Sequence, residues 1–375
     1  MKKLLIAILL ISSIVGVVAF SACTDGYKSD DITLSYDVTT DYGVYWYADG
    51  EYVRSSENMA LKYFDPSKPT FVYAHGWEPS KSNSSNGLVE DLVTHADTLS
   101  NCDVQKVDYA SLLKEQGYNV ACLGWFDYAS SLTALFKYIW VEFDEGYALS
   151  VRFAQELALV LGEDYRQQVK LMGHSYGAQV AVATTYQLTK FKEDGVISNS
   201  NIIPTRLTLA DPYLGSPALI SGWKNIAEGS IAYTNEPFNN REPKTLMADC
   251  IEYIVDKNDA AVDIYGGMII AYDYYDYDGT DADFEKLSEN CAFVKCNGLL
   301  KIHSTAVHNI TRDWLLISLV ENIKLTDQNG DIAPTAAASD DEIKALRGKC
   351  YYQVKSKLDV ANDSLELVDR SKIQY

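Results

Sequence analysis

Val169-Lys170-Leu171-Met172-Gly173-His174-Ser175-Tyr176-Gly177-Ala178-Gln179 decides how the rest of the chain is read. It predicts a buried strand over 168–172, a sharp Gly-x-Ser-x-Gly turn, and a helix over 178–190 ending at Gly195. The serine of such a turn sits on strained backbone with its hydroxyl exposed. Gly173 and Gly177 remove side chains where the outgoing helix crosses the strand. The helix N-terminus then aims backbone N–H groups at the place where an oxyanion forms. Glycine and serine are common turn residues, so a merely structural turn competes with this reading. The strand before the turn and the helix after it favour a nucleophile.

Working outward, residues 70–74 form an apolar run entered through Pro69 and ended by His75-Gly76. Residues 118–123 form another, closed by Gly124-Trp125, and 206–210 read as a strand, stopped by Asp211-Pro212. Residues 251–255 read as a further strand. Helical spacing recurs over 84–116, 145–161 and 310–323. The aromatic runs of 32–63, with Asp49-Gly50 between them, read as early antiparallel strands. Alternating strands and helices predict an α/β fold, a mostly parallel central sheet with helices on both faces. Sites in such sheets lie beyond the carboxyl ends of the strands.

The N-terminus reads separately. Met1-Lys2-Lys3 is a basic leader, followed by an apolar run over 4–20 and by Phe20-Ser21-Ala22-Cys23. This is a secretory signal over 1–22, and its end is similar to a bacterial lipobox with Cys23 as the lipidated residue. Simple cleavage nearby and an uncleaved anchor are the alternatives. The expected place is extracytoplasmic, lipid-anchored to the cell membrane or secreted. The net charge of −20 makes nucleic acid an unsuitable partner, because phosphate recognition needs a basic face. Removing the leader takes away two lysines and brings the charge to −22. Six further cysteines permit disulfides, and Cys291 and Cys296 are near enough in sequence to pair, while Cys122 reads as a buried free thiol. No cysteine or histidine spacing suggests a metal site. The acidic run 272–283 offers carboxylates for calcium but fails the EF-hand ligand pattern, so a solvated loop is the reading preferred and no cofactor is expected.

Ser175 needs a base and the base needs a carboxylate. Among five histidines, His303 and His308 stand before the last helix, and His308 is favoured because it directly precedes it. His174 lies inside the elbow and is expected to point away from the serine. Asp211 and Asp259 both follow predicted strands and both keep the order Ser…Asp…His. The oxyanion donors expected are the backbone N–H groups of Tyr176, after the nucleophile, and Trp77, after His75-Gly76.

Taken together, Ala74-His75-Gly76-Trp77, the Gly173–Gly177 elbow, Leu207-Thr208-Leu209-Ala210-Asp211-Pro212 and His308 before a helix resemble the pancreatic-lipase-like family of α/β-hydrolases. The resemblance covers roughly 70–319, with Tyr176 and Gln179 standing where the family usually has leucine and histidine. It implies the α/β-hydrolase fold, Asp211 as the acid, His308 as the base, and an ester or lipid substrate. The expected layout is a catalytic domain over 24–330, with a linker and C-terminal extension over 331–375, of which 342–375 either packs on the domain or forms a small extension. The apolar stretch 125–141 reads either as a lid or acyl-binding wall or as a buried connecting helix. A non-catalytic surface binding protein on the same scaffold and a serine peptidase are the competing functions.

Overall fold

The computed structural model describes residue 34 and residues 42–76, 92–93, 107–125, 149–213, 243–266, 282–296, 304–353 and 360–369. The Asp49-Gly50 signal is a tight turn, both residues with positive φ, joining β1 (Gly43–Ala48) to β2 (Glu51–Arg54). Then come β3 (Thr70–Ala74), helix α1 (Tyr109–Glu115), β4 (Asn119–Gly124), α2 (Leu149–Leu161), β5 (Val169–His174), α3 (Tyr176–Glu193) and β6 (Arg206–Ala210). Helix α4 (Pro243–Asn258), β7 (Ala261–Gly266), α5 (Ala282–Asn290), β8 (Ala292–Lys295) and α6 (Ser304–Val320) follow. The chain closes with a small hairpin of β9 (Leu325–Thr326) and β10 (Ile332–Ala333), then α7 (Asp340–Lys344), β11 (Cys350–Gln353) and β12 (Leu365–Val368).

Ten of these strands form one sheet in the order β12-β11-β8-β7-β6-β5-β3-β4-β1-β2. From β4 to β11 the pairings are parallel, and antiparallel pairings are confined to the two edges. The parallel strands are buried along their whole length or nearly so, as strands covered on both faces must be. One apolar cluster gathers α2, α3 and α4, and the other gathers α1, α6 and the C-terminal segment. This is the α/β-hydrolase fold. Each fully buried leucine or valine in these strands contributes on the order of 1.5–3 kcal/mol. The order reverses around β3: the chain passes from β3 to β4 on one side and returns to β5 on the other. The topological switch point, where open sheets of this kind bind ligands, therefore lies at the carboxyl ends of β3 and β5.

Three expectations are corrected. Residues 251–255 are helix, inside α4, not strand. Leu246, Met247, Cys250, Ile251 and Ile254 are all buried at three- and four-residue spacing, a period the five-residue window conceals. The boundary at 330 does not separate an extension. Residues 350–353 pair in parallel with β8, and the small residues Ala336 and Ala338 are buried where a linker would be solvated. Cys291 and Cys296 are free thiols and do not pair with each other. The two flank β8 and belong to opposite apolar clusters, so the strand's pleat turns them to opposite faces.

Candidate active site

Register brings the site together. Ala74 of β3 lies beside Gly173 of β5, His174 beside Ala210 of β6, and Ala210 beside Tyr265 of β7. The residues that follow these strands therefore emerge at one edge. Ser175 follows β5 with φ 58 and ψ −125, a conformation that side chains rarely adopt. Tight packing holds it there. A Cβ on Gly177 would lie 2.0 Å from the Ala74 carbonyl oxygen, so only glycine lets α3 leave the strand at this angle. A Cβ on Gly76 would lie 2.9 Å from the Ser175 Cβ, which puts the His75-Gly76 loop directly against the serine. Helix α3 ends as expected, with Gly195 at φ 74 and the Val196 N–H donating to the Phe191 carbonyl at 2.9 Å.

Asp211 is bracketed by Ser175. The Ser175 N–H donates to the Ala210 carbonyl at 3.0 Å, and the Tyr213 N–H donates to the Ser175 carbonyl at 3.2 Å. The Asp211 N–H donates to the Tyr265 carbonyl at 2.6 Å, and Asp211 itself takes φ 42. Two strained, non-glycine residues thus lie side by side at the end of the sheet. His308, 97 residues further on, brings its Nδ1 to 2.6 Å from Asp211 Oδ2. The carboxylate is almost fully buried and the imidazole is 14% exposed, so the pair is shielded while the ring keeps a face to solvent. A carboxylate accepts, so His308 carries its proton on Nδ1 and presents a lone pair on Nε2. Burial, with the Asp211 charge adding to it, pushes the neighbouring Cys296 thiol up and keeps it protonated.

Ser175, Asp211 and His308 are thus gathered at one place. Asp259 is elsewhere. It precedes β7 at the amino end of the sheet and is tied to Lys344 at 3.0 Å and Arg347 at 2.9 Å. Hydrogen bonds from those two side chains hold its carboxyl below the usual carboxylate range. It was expected to follow a strand; since 251–255 is helical, it caps a helix instead. Helix α6 begins at Ser304, so His308 sits within its second turn rather than before it. Tyr176 opens α3, where the helix N-terminus orients backbone N–H groups outward. His75 turns its Nδ1 to the Gly76 carbonyl at 3.0 Å and stacks on Trp125 at 5.1 Å. Trp77, His303, Cys23 and residues 126–141 lie outside the described residues, as does most of the acidic run 272–283. Among the described residues no group of histidine, cysteine and carboxylate side chains could hold a metal ion, and no helix is long and apolar enough to cross a membrane.

Two residues acquire parts that the sequence reading missed. Gln179 is fully buried, and its Nε2 donates to the Tyr213 carbonyl at 2.7 Å, clamping the loop after Asp211 to α3. Tyr213 also lays its ring against Tyr176, with centroids 4.4 Å apart. His174 has a neighbour that the sequence did not suggest: its ring lies 4.3 Å from that of His308. The available signal was parity, since His174 shares the face of Met172, which packs in the same cluster as α6.

No protein-family model and no curated protein match this chain. Among solved structures it is similar to esterase B from Lactobacillus rhamnosis HN001, at 14% identity over 77% of this chain and 81% of that one, with a TM-score of 0.34. The same esterase inhibited by a tributyrin phosphonate is similar at 15% identity, over 71% of this chain and 75% of that one, with a TM-score of 0.29. Est1E from Butyrivibrio proteoclasticus is similar at 14% identity, over 73% of this chain and 98% of that one, with a TM-score of 0.30.

Proposed function

We propose that this protein is a serine hydrolase of carboxylic esters, with Ser175 as nucleophile, His308 as general base and Asp211 as the group that orients the base. The observation that carries the reading is the 2.6 Å His308–Asp211 bond beside a serine at φ 58. In the proposed reaction His308 Nε2 takes the Ser175 hydroxyl proton as Oγ attacks the ester carbonyl carbon. Asp211 stabilises the imidazolium that forms. The backbone N–H groups of Tyr176 and Trp77 receive the developing oxyanion. Collapse breaks the C–O bond to the alcohol, which leaves with the proton from His308. Water, deprotonated by the same imidazole, then releases the acid and restores Ser175.

The finer reading rests on the sequence. Resemblance to pancreatic-lipase-like enzymes supports the triad more than it supports fat as the substrate, so the acyl length is left to the assay, with the apolar sequence of 125–141 as the candidate acyl-binding wall or lid. Lipidation at Cys23 would hold the enzyme at the outer face of a membrane. The test is hydrolysis of p-nitrophenyl esters over a range of acyl lengths, with Ser175→Ala alongside. That substitution is expected to lower turnover by about four to six orders of magnitude. Activity retained in Ser175→Ala would refute the assignment. A rate peaking at short chains marks a carboxylesterase, and a long-chain preference marks a lipase.

A further inference from the structure

The residue before the nucleophile reaches the base. His174 ends β5 on the same face as Met172, and α6 packs on that face. It is 5% exposed, and its ring and that of His308 are inclined by 37° with centroids 4.3 Å apart. Its Nε2 lies 3.2 Å from the backbone carbonyl oxygen of His308. A carbonyl oxygen only accepts, so His174 carries a proton on Nε2 and donates it there. His308 is therefore held twice: its ring by Asp211 and its backbone by His174.

We propose that His174 is a positioning residue that fixes the turn of α6 carrying His308, so that the imidazole of His308 addresses Ser175. The inference rests on the Ser175–His308–Asp211 reading above. The physical need is clear. Asp211 fixes only one atom of a ring that swings about two side-chain bonds, and proton transfer demands hydrogen-bond reach to the serine oxygen. Further along, α6 is pinned by the Trp314 indole N–H donating to Asp363 at 2.6 Å. His174 supplies the corresponding pin at the turn that carries the base. It is also covalently adjacent to Ser175, so the same peptide that strains the nucleophile sets the place of the base. Movement of one is thereby tied to movement of the other.

The test uses the full chain in mild detergent with three variants. His174→Phe keeps a ring and loses the donor, His174→Gln keeps an N–H donor of similar reach, and His174→Ala loses both. With p-nitrophenyl butyrate, Phe and Ala are expected to lower kcat about 10- to 100-fold with KM changed by less than about twofold, while Gln stays within about threefold of the parent. A second readout needs no turnover. In a Ser175→Ala background, the His308 Nδ1 proton shared with Asp211 is followed by proton–nitrogen NMR and assigned by its loss in Asp211→Asn. Phe and Ala should shift this signal and Gln should preserve it. Full kcat in His174→Phe, or a loss in Gln equal to that in Phe, would overturn the proposal, as would a signal unmoved by Phe. If Ala fails to fold, the Phe and Gln pair decides. Absence of any Ser175-dependent hydrolysis in the parent would reject the esterase reading alone, and the NMR comparison would still decide whether His174 holds His308.

Discussion

Asp211→Asn removes one charge and almost no volume. In the parent, Asp211 Oδ2 sits 2.6 Å from His308 Nδ1 with the carboxylate shielded from solvent. In the proposed reaction, the imidazolium formed when Ser175 gives up its proton makes an ion pair with this carboxylate. At roughly 4 Å between charge centres and an effective dielectric constant of about 20, the attraction is about 4 kcal/mol. At about 1.4 kcal/mol per tenfold, that is about 10³ in rate. The amide adds a second penalty. Its NH₂ can donate to Nδ1, which moves the ring proton to Nε2 and leaves no lone pair facing Ser175. Together the loss in kcat should be about 10⁴, with KM nearly unchanged. Initial rates on p-nitrophenyl butyrate measure it, and circular-dichroism melting shows that the fold survives. Asp259→Asn is the control. That carboxylate is 66% exposed, tied to Lys344 and Arg347 at the far edge of the sheet, and should leave kcat intact. A folded Asp211→Asn enzyme retaining more than a tenth of its kcat would refute the reasoning.

The packing of the elbow predicts that Gly177→Ala, whose Cβ would lie 2.0 Å and 2.5 Å from two backbone oxygens of β3 and its following loop, costs about 3 kcal/mol or more. A urea midpoint equal to the parent's would contradict it. Arg206 donates to both oxygens of Asp263 and to the Thr335 and Ala338 carbonyls, all deep in the structure. Arg206→Met should therefore cost about 3–5 kcal/mol by stranding a buried carboxylate, and adding Asp263→Leu should recover part of that loss in the same urea melts. Burial pushes the Glu193 carboxyl up, but hydrogen bonds from Lys257, Tyr253 and Lys190 outweigh it and bring it down to about 2. A depressed carboxylate contributes stability that is complete above its unfolded value and fades as pH falls through its folded one. The Tm advantage of the parent over Glu193→Gln should thus be full near pH 5 and shrink steadily toward about pH 2. Equal acid slopes by scanning calorimetry would dismiss this role for Glu193.

Local chemistry made part of the protein legible from the sequence. The elbow could be read because its backbone demands glycine on either side of the serine, and Ala74, Gly173 and Gly177 do meet within ångströms. Strands such as Arg206–Ala210 could be read because burial on both faces leaves a mostly apolar stretch ended by Asp211-Pro212. A five-residue window could not tell helix from strand at 251–255, since apolar content without its flanks carries no period. The sequence likewise could not show that 331–369 completes the sheet. That depends on Cys350 lying beside Phe293, and on carbonyls of 335 and 338 meeting the Arg206 guanidinium, contacts between distant parts of the chain. The choice of Asp211 over Asp259 is of the same kind. Both follow an apolar stretch, but only strand register decides that one emerges at the carboxyl edge beside His308 and the other at the amino edge beside Lys344. The sequence by itself determined the fold class and the place of the elbow serine, because each depends on residues within a few positions of one another. Tertiary structure decided that the Asp211 carboxylate meets the His308 ring, which the residues alone left open against Asp259 and the resemblance only implied, and that His174 reaches His308, because those contacts join residues about a hundred positions or more apart.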